Sequence, residues 1–146
     1  MGTKLLALLS LIFSVSSCAS QKKVTALADW KGKTIQFGYG GGFTGISSVY
    51  VLLKNGQLFE QIGLDETQLK ELPHIDKKQT KKVFVLASKA EWPAAKESHP
   101  GNTYSSLIYK TTGKQYSVTW GDGKYLPAKN VIQLYKDLLK LKPSTK

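Results

Sequence analysis

KTIQFGYGGGFTGISSVYVLLKNGQLFEQI, residues 33–62, decides the fold. Lys33 to Tyr39 sets Ile35, Phe37 and Tyr39 against polar neighbours, the period-two alternation of a half-buried strand. GYGGGFTG, residues 38–45, follows and reads as a loop. Ile46 to Lys54, rich in Val, Ile and Tyr, predicts a second strand, and Gln57 to Ile62 a third. Asn55-Gly56 between them is a hairpin signal, because both central positions of a type I′ turn take positive φ.

Downstream, Asp65 caps an expected short helix through Leu72, stopped by Pro73. Asp76 offers a second N-cap, for a helix from Lys77 to about Glu91. Val83, Phe84 and Ala87 fall on its apolar face and the lysines on the other. Trp92 through Asn102 reads as loop. Tyr104–Lys110 and Lys114–Trp120 read as strands around Thr111-Thr112-Gly113. Pro127 opens a final helix at its first turn, with Val131, Leu134, Tyr135, Leu138 and Leu141 as its apolar stripe. The expected order is β-β-β-α-β-β-α. That is an α+β fold, a single small domain with an antiparallel sheet and helices packed on one face.

Upstream, Met1–Lys4 is a short basic n-region, Leu5–Val15 an apolar h-region, and Ser16-Ser17 the small residues of a secretory signal. The apolar run is about half the roughly 20 residues of a bilayer-spanning helix. Val15-Ser16-Ser17-Cys18 resembles the bacterial lipobox. That resemblance implies a diacylglyceryl group on the Cys18 thiol and cleavage after Ser17, leaving 129 of the 146 residues. Acyl chains contribute about 0.8 kcal/mol per buried methylene, so several of them hold a domain durably on a membrane. Leu6 stands where a myristoylation signal needs Ser or Thr. Ala19 after the cysteine implies, by the same resemblance, outer-membrane sorting. No acidic cluster follows Cys18, so the surface-export tag of some Bacteroidetes lipoproteins is absent and the periplasmic face is expected. The chain divides into a signal peptide (1–17), a lipidated cysteine and tether (18–31), the α+β domain (32–142) and a short tail (143–146). A second free thiol is absent, as suits an oxidising compartment.

Net charge is +11, and every basic residue is lysine. Without the guanidinium fork that reads guanine, and with the lysines scattered, no nucleic-acid partner is expected. Lys77, Lys78, Lys81 and Lys82 form the one dense cluster, and their spacing reads as the solvated face of a helix.

Gly38–Gly45 holds five glycines in eight residues. As a phosphate cradle it fails: Phe43 stands at the third glycine position of G-x-G-x-x-G, and a strand follows instead of a helix N-terminus. Two readings stay open. The glycines build a bulged hairpin, or they form a recognition loop with Phe43 as its apolar anchor. GGGFTG after a short strand resembles small lipoproteins common in Bacteroidetes. It is also similar to emfourin, a family of protein inhibitors of thermolysin-like zinc metalloproteases whose pattern includes Gly-Gly-Phe-Ala-Gly. Here the stretch is Gly41, Gly42, Phe43, Thr44 and Gly45, with Thr44 in place of alanine. The overlap runs from about Gly38 to Leu53. It implies a binding loop of Gly40, Gly41, Gly42, Phe43, Thr44 and Gly45 and a metalloprotease partner.

Enzyme chemistry is hard to assemble. His74 and His99 lie in no nucleophile or zinc signature, and the only cysteine is the one read as lipidated. One cysteine and two histidines supply no metal cage, and nothing calls for a cofactor. Trp120, ahead of Gly121-Asp122-Gly123, reads as core edge. The sequence thus predicts a non-enzymatic, lipid-anchored cell-envelope binding protein that inhibits a metalloprotease through its glycine-rich loop. The alternatives are a structural or envelope-assembly lipoprotein, or a carrier of an anionic ligand that uses its lysines.

Overall fold

Alternation along residues 34–41 sets the centre of the molecule. The structure, a computed structural model, describes residues 27–43, 45, 47–62 and 68–143. A 3-10 turn (Leu27–Asp29) leads into β1 (Thr34–Gly41), β2 (Ser47–Leu53), β3 (Leu58–Gln61) and β4 (Leu69–Leu72). Then come α1 (Lys77–Lys89), β5 (Glu97–His99), β6 (Thr103–Thr111), β7 (Lys114–Trp120) and α2 (Lys129–Leu139). The strands form one sheet in the order β4-β3-β2-β1-β6-β7-β5, so β1 is its middle strand. The architecture is α+β in a single domain.

Ile35 and Phe37 are completely buried on one face of β1. Ile35 pairs across to Leu52 and Tyr109, and Phe37 to Tyr50 and Leu107, so apolar rows run straight across three strands. Both helices cover this face, α1 with Val83, Phe84 and Ala87 and α2 with Val131, Leu134, Tyr135 and Leu138. Phe37 stacks on Tyr50 at 5.5 Å, and Tyr135 meets Trp120 edge-on at 4.9 Å. The buried Tyr135 hydroxyl donates to the Gly38 carbonyl at 2.9 Å, tying α2 to β1. On the far face Leu27, Trp30 and Leu69 pack on Val51, Leu53 and Phe59. Among the described residues both clusters are built from residues 27–141, so a chain starting at Ala19 keeps every described core residue.

Asp76 caps α1 as expected, accepting from the Lys78 and Gln79 amides at 2.9 Å each. Trp92 folds under the other end of α1. Its indole donates to the Ala87 carbonyl at 2.8 Å and its rings stack on Tyr109 and Tyr116.

Several expectations are corrected. Residues 69–72 of the expected helix 65–72 form β4, because Leu69 and Leu72 pack on opposite faces as only a strand allows; residues 65–67 lie outside the described residues. The loop expected from Trp92 to Asn102 contains β5, which runs parallel to β7, so the sheet is mixed and not wholly antiparallel. The glycine stretch is not all loop: Gly38, Gly40 and Gly41 belong to β1, the first two paired on both sides and Gly41 with Thr103 of β6 alone. Pro127 precedes the Ala128 cap of α2 instead of sitting in its first turn.

The hairpin at Asn55-Gly56 is not type I′. Gly56 alone takes positive φ, at 98°. Its amide donates to Leu53 and the Leu53 amide to Gln57, each at 2.9 Å, which is a turn over 53–56 followed by a bulged glycine. The Asn55 side chain explains the choice. It is buried, accepts from the Gln57 amide at 3.0 Å and donates to Oε1 of Gln57 at 2.7 Å.

Replacing Tyr135 with Phe keeps the ring against Trp120 and removes the hydroxyl's bonds to Gly38 and Ser105. Stability should fall by about 1 kcal/mol, seen as a lower urea midpoint at unchanged slope. An unchanged midpoint would mean that the hydroxyl does not hold α2 to the sheet.

Candidate functional site

The C-terminal end of β1, the starts of β2 and β6 and the end of β7 meet at one end of the sheet. Register fixes the arrangement: Gly40 lies opposite Ser47 and Tyr104, Gly41 opposite Thr103, and Ser105 opposite Trp120. The Gly42 amide donates to the Asn102 carbonyl at 2.6 Å, and there pairing stops. The chain reverses through a turn in which the Gly45 amide donates to the Gly42 carbonyl at 3.2 Å. Gly41 and Gly42 take φ of 92° and 81°, a region that side chains resist. A Cβ on Gly41 would also strike the Asn102 carbonyl.

Phe43 stands at this tip with its whole surface in water. Of the residues expected to form the binding loop, Gly40 and Gly41 are thus strand, and Gly42, Phe43 and Gly45 make the tip. Thr44 lies outside the described residues, as does Cys18.

Beside the tip opens a cleft of about 520 Å³ walled by Tyr39, Tyr104 and Trp120, with Gly40, Gly41 and Gly121 among its lining. Gly40 permits this wall: a Cβ there would lie 2.7 Å from the Tyr104 hydroxyl and 2.9 Å from Ser47 Cβ. Trp120 is half-buried against Tyr135, at the core edge as expected, and it also faces the cleft. Sequence reasoning took Tyr39 for an ordinary strand residue. It points to the helix side but is 42% exposed.

Lys142, past the end of α2, reaches over it. Its Nζ lies 3.3 Å from the Tyr39 hydroxyl, 4.6 Å from that ring's centre and 5.2 Å from the Tyr50 ring. Hydrogen bonding to Ser48 and then to Lys142 lowers the Tyr39 phenol below its ordinary range. Burial, reinforced by the Glu60 carboxylate, pushes Tyr50 up to about 12. Tyr50 donates to Glu60 Oε1 at 3.2 Å.

The two histidines are not brought together. His74 is exposed beside Gly56 at the other end of the sheet. His99 ends β5, with Nε2 at 2.8 Å from Glu97 Oε2, Nδ1 at 3.8 Å from Asp122 Oδ2, and its ring stacked on Tyr125 at 4.3 Å. The Tyr125 and Lys124 amides donate to Asp122 and hold its carboxyl below the usual range. Both imidazole nitrogens face carboxylates and neither faces a hydroxyl, so the cluster pins the β7–α2 loop to β5 and assembles no nucleophile. Among the described residues no group of three or more His, Cys, Asp or Glu could hold a metal ion.

The tyrosines give this end a pH signature. Tyr50 holds its proton more tightly folded than unfolded, so its stabilising contribution is full below pH 10 and is lost as pH rises from 10 through about 12. Tyr39 has the opposite sign: its phenolate favours the folded state once pH exceeds the unfolded value near 10. In a titration followed by phenolate absorbance, Tyr39→Phe should remove the first phenol to ionise and Tyr50→Phe one of the last. Loss of the same step in both variants would contradict this arrangement.

No protein-family model matches the chain, and no curated protein is similar to it.

Proposed function

We propose that this chain is a lipid-anchored cell-envelope protein that binds a protein partner through the β1–β2 tip and inhibits a thermolysin-like metalloprotease. The observation that carries the reading is Phe43, a fully exposed aromatic ring on a turn hinged by Gly41, Gly42 and Gly45. Burying such a ring contributes about 1.5–3 kcal/mol, and the domain itself makes no use of it. A lone aromatic anchor beside an aromatic-walled cleft is the anatomy of a binding hot spot. Glycines on both sides let a partner's backbone come close. The resemblance of residues 41–45 to the emfourin pattern names the partner class. Cys18, by its lipobox, anchors the mature chain in the outer membrane, facing the periplasm. The acting residues on this reading are Gly40, Gly41, Gly42, Phe43, Thr44 and Gly45, with no cofactor and no catalysis by this chain.

The test is a titration of residues 19–146 against thermolysin, following cleavage of a peptide substrate. The expected result is stoichiometric inhibition that Phe43→Ala weakens by about 30-fold, equivalent to about 2 kcal/mol. Phe43→Ala should leave unfolding stability within about 0.5 kcal/mol, because the ring touches no core residue. A folded domain without inhibition at micromolar excess removes thermolysin as the target. A variant that loses stability and not inhibition makes the tip a structural turn.

A further inference from the structure

The opposite end of the sheet carries a different surface. There the chain enters β1, and the Lys33 carbonyl accepts from the Lys54 amide at 3.2 Å, which holds the two lysines side by side. Lys77 and Lys81, one helical turn apart, face them from the start of α1. Together these four line a cleft of about 440 Å³ that also contains Phe84 and Val85.

Among the described residues none of the four ammonium groups is within ion-pair distance of a carboxylate; the paired lysines are Lys82 and Lys140, both on Asp137. The nearest acid along the chain, Asp76, spends one carboxylate oxygen on two helix amides. Like charges at i and i+4 repel, so this grouping is unfavourable until an anion enters. Val85 adds a second oddity, an apolar side chain 41% exposed in a ring of lysines. An inorganic ion gains nothing from it. An amphiphile with a charged head does.

We propose that this cleft binds the phosphate headgroup of an acidic membrane lipid, with the lysines on the phosphate and the glycerol and first methylenes against Phe84 and Val85. From Cys18 to Leu27, which packs against the sheet, is nine residues of chain, which spans at most about 32 Å, so an anchored Cys18 keeps the domain and its cleft within reach of the bilayer. The source of the lipid rests on the reading of Cys18 as the anchor; the chemistry of the cleft does not.

Residues 19–146, which lack the acylated cysteine and keep every described core residue, should co-sediment with vesicles of one-third phosphatidylglycerol in phosphatidylcholine and not with phosphatidylcholine alone. Each lysine near an acidic surface contributes about fivefold, so Lys54→Gln with Lys81→Gln should weaken binding roughly 25-fold. Lys124→Gln with Lys136→Gln removes the same charge outside the cleft and should leave binding within about twofold. Equal losses from the two pairs would reduce the effect to diffuse attraction by net charge and overturn the proposal. So would equal binding to neutral vesicles, or displacement of the domain by millimolar inorganic phosphate at constant ionic strength. Fractionation of the full chain against Cys18→Ala reads the anchor separately. A full chain that follows membranes while its domain ignores acidic vesicles sinks the cleft and spares the anchor. Thermolysin titration of the same preparations reads the tip.

Discussion

The stacked pair Phe37–Tyr50, closed over by the Tyr135 hydroxyl on the Gly38 carbonyl, is the joint on which the rest of the domain depends. It belongs to the central strand, so its register is read by both neighbours at once. A slip of one residue would carry Ile35 and Phe37 out to water and draw Gln36 and Gly38 under the helices. Apolar rows across β2, β1 and β6 therefore specify one alignment strongly. That alignment in turn puts Gly41 opposite Thr103 and lets the Gly42 amide reach Asn102. The position of the tip is a consequence of core packing some residues away, not of the tip's own sequence.

The glycines divide into two jobs. Gly38 and Gly40 lie in β1 where backbone and rings come close: a Cβ on Gly38 would hit the Ser48 carbonyl, and one on Gly40 the Tyr104 ring. Gly42 and Gly45 meet no such neighbour within 3.4 Å and are needed for their left-handed backbone. Gly41 does both. The bulged-hairpin and recognition-loop readings of GYGGGFTG are therefore not rivals along the whole segment. The first three glycines serve the sheet, and the chain is released as an exposed loop only from Gly42.

What was legible in the sequence was whatever local periodicity controls. Ile35 and Phe37 alternate, Asp76 caps, and Val83, Phe84 and Ala87 recur at helical spacing, so β1 and α1 stood where expected. What was not legible depended on partners distant in the chain. Glu97–His99 is three residues of polar sequence that becomes strand only because β7 offers a free edge. Leu69–Leu72 is a leucine pair with helical spacing, and pairing with β3 overrides that local preference. Asn55-Gly56 signalled a hairpin correctly, yet the turn type was decided by burial of the Asn55 side chain against Gln57. At the candidate sites the same division holds. Phe43 was visible as an apolar residue among glycines. The Tyr39–Tyr104–Trp120 cleft needed three strands, and the lysine cleft needed Lys33 and Lys54 to meet one face of α1.

The fold also separates the two surfaces. β1 rises about 3.3 Å per residue, so Thr34 at the lysine end and Gly41 at the tip lie roughly 23 Å apart. That exceeds two Debye lengths at physiological salt, and no side chain is shared between the clefts. Contributions at such separation add independently. Charge at the lysine end therefore does not tune the affinity of the tip, and an aromatic anchor at the tip does not alter attraction to an acidic surface. On the proposed reading, a lipid anchor makes this polarity useful. If the lysine end meets the lipid, the central strand carries Phe43 about 23 Å further out, to where a soluble partner diffuses.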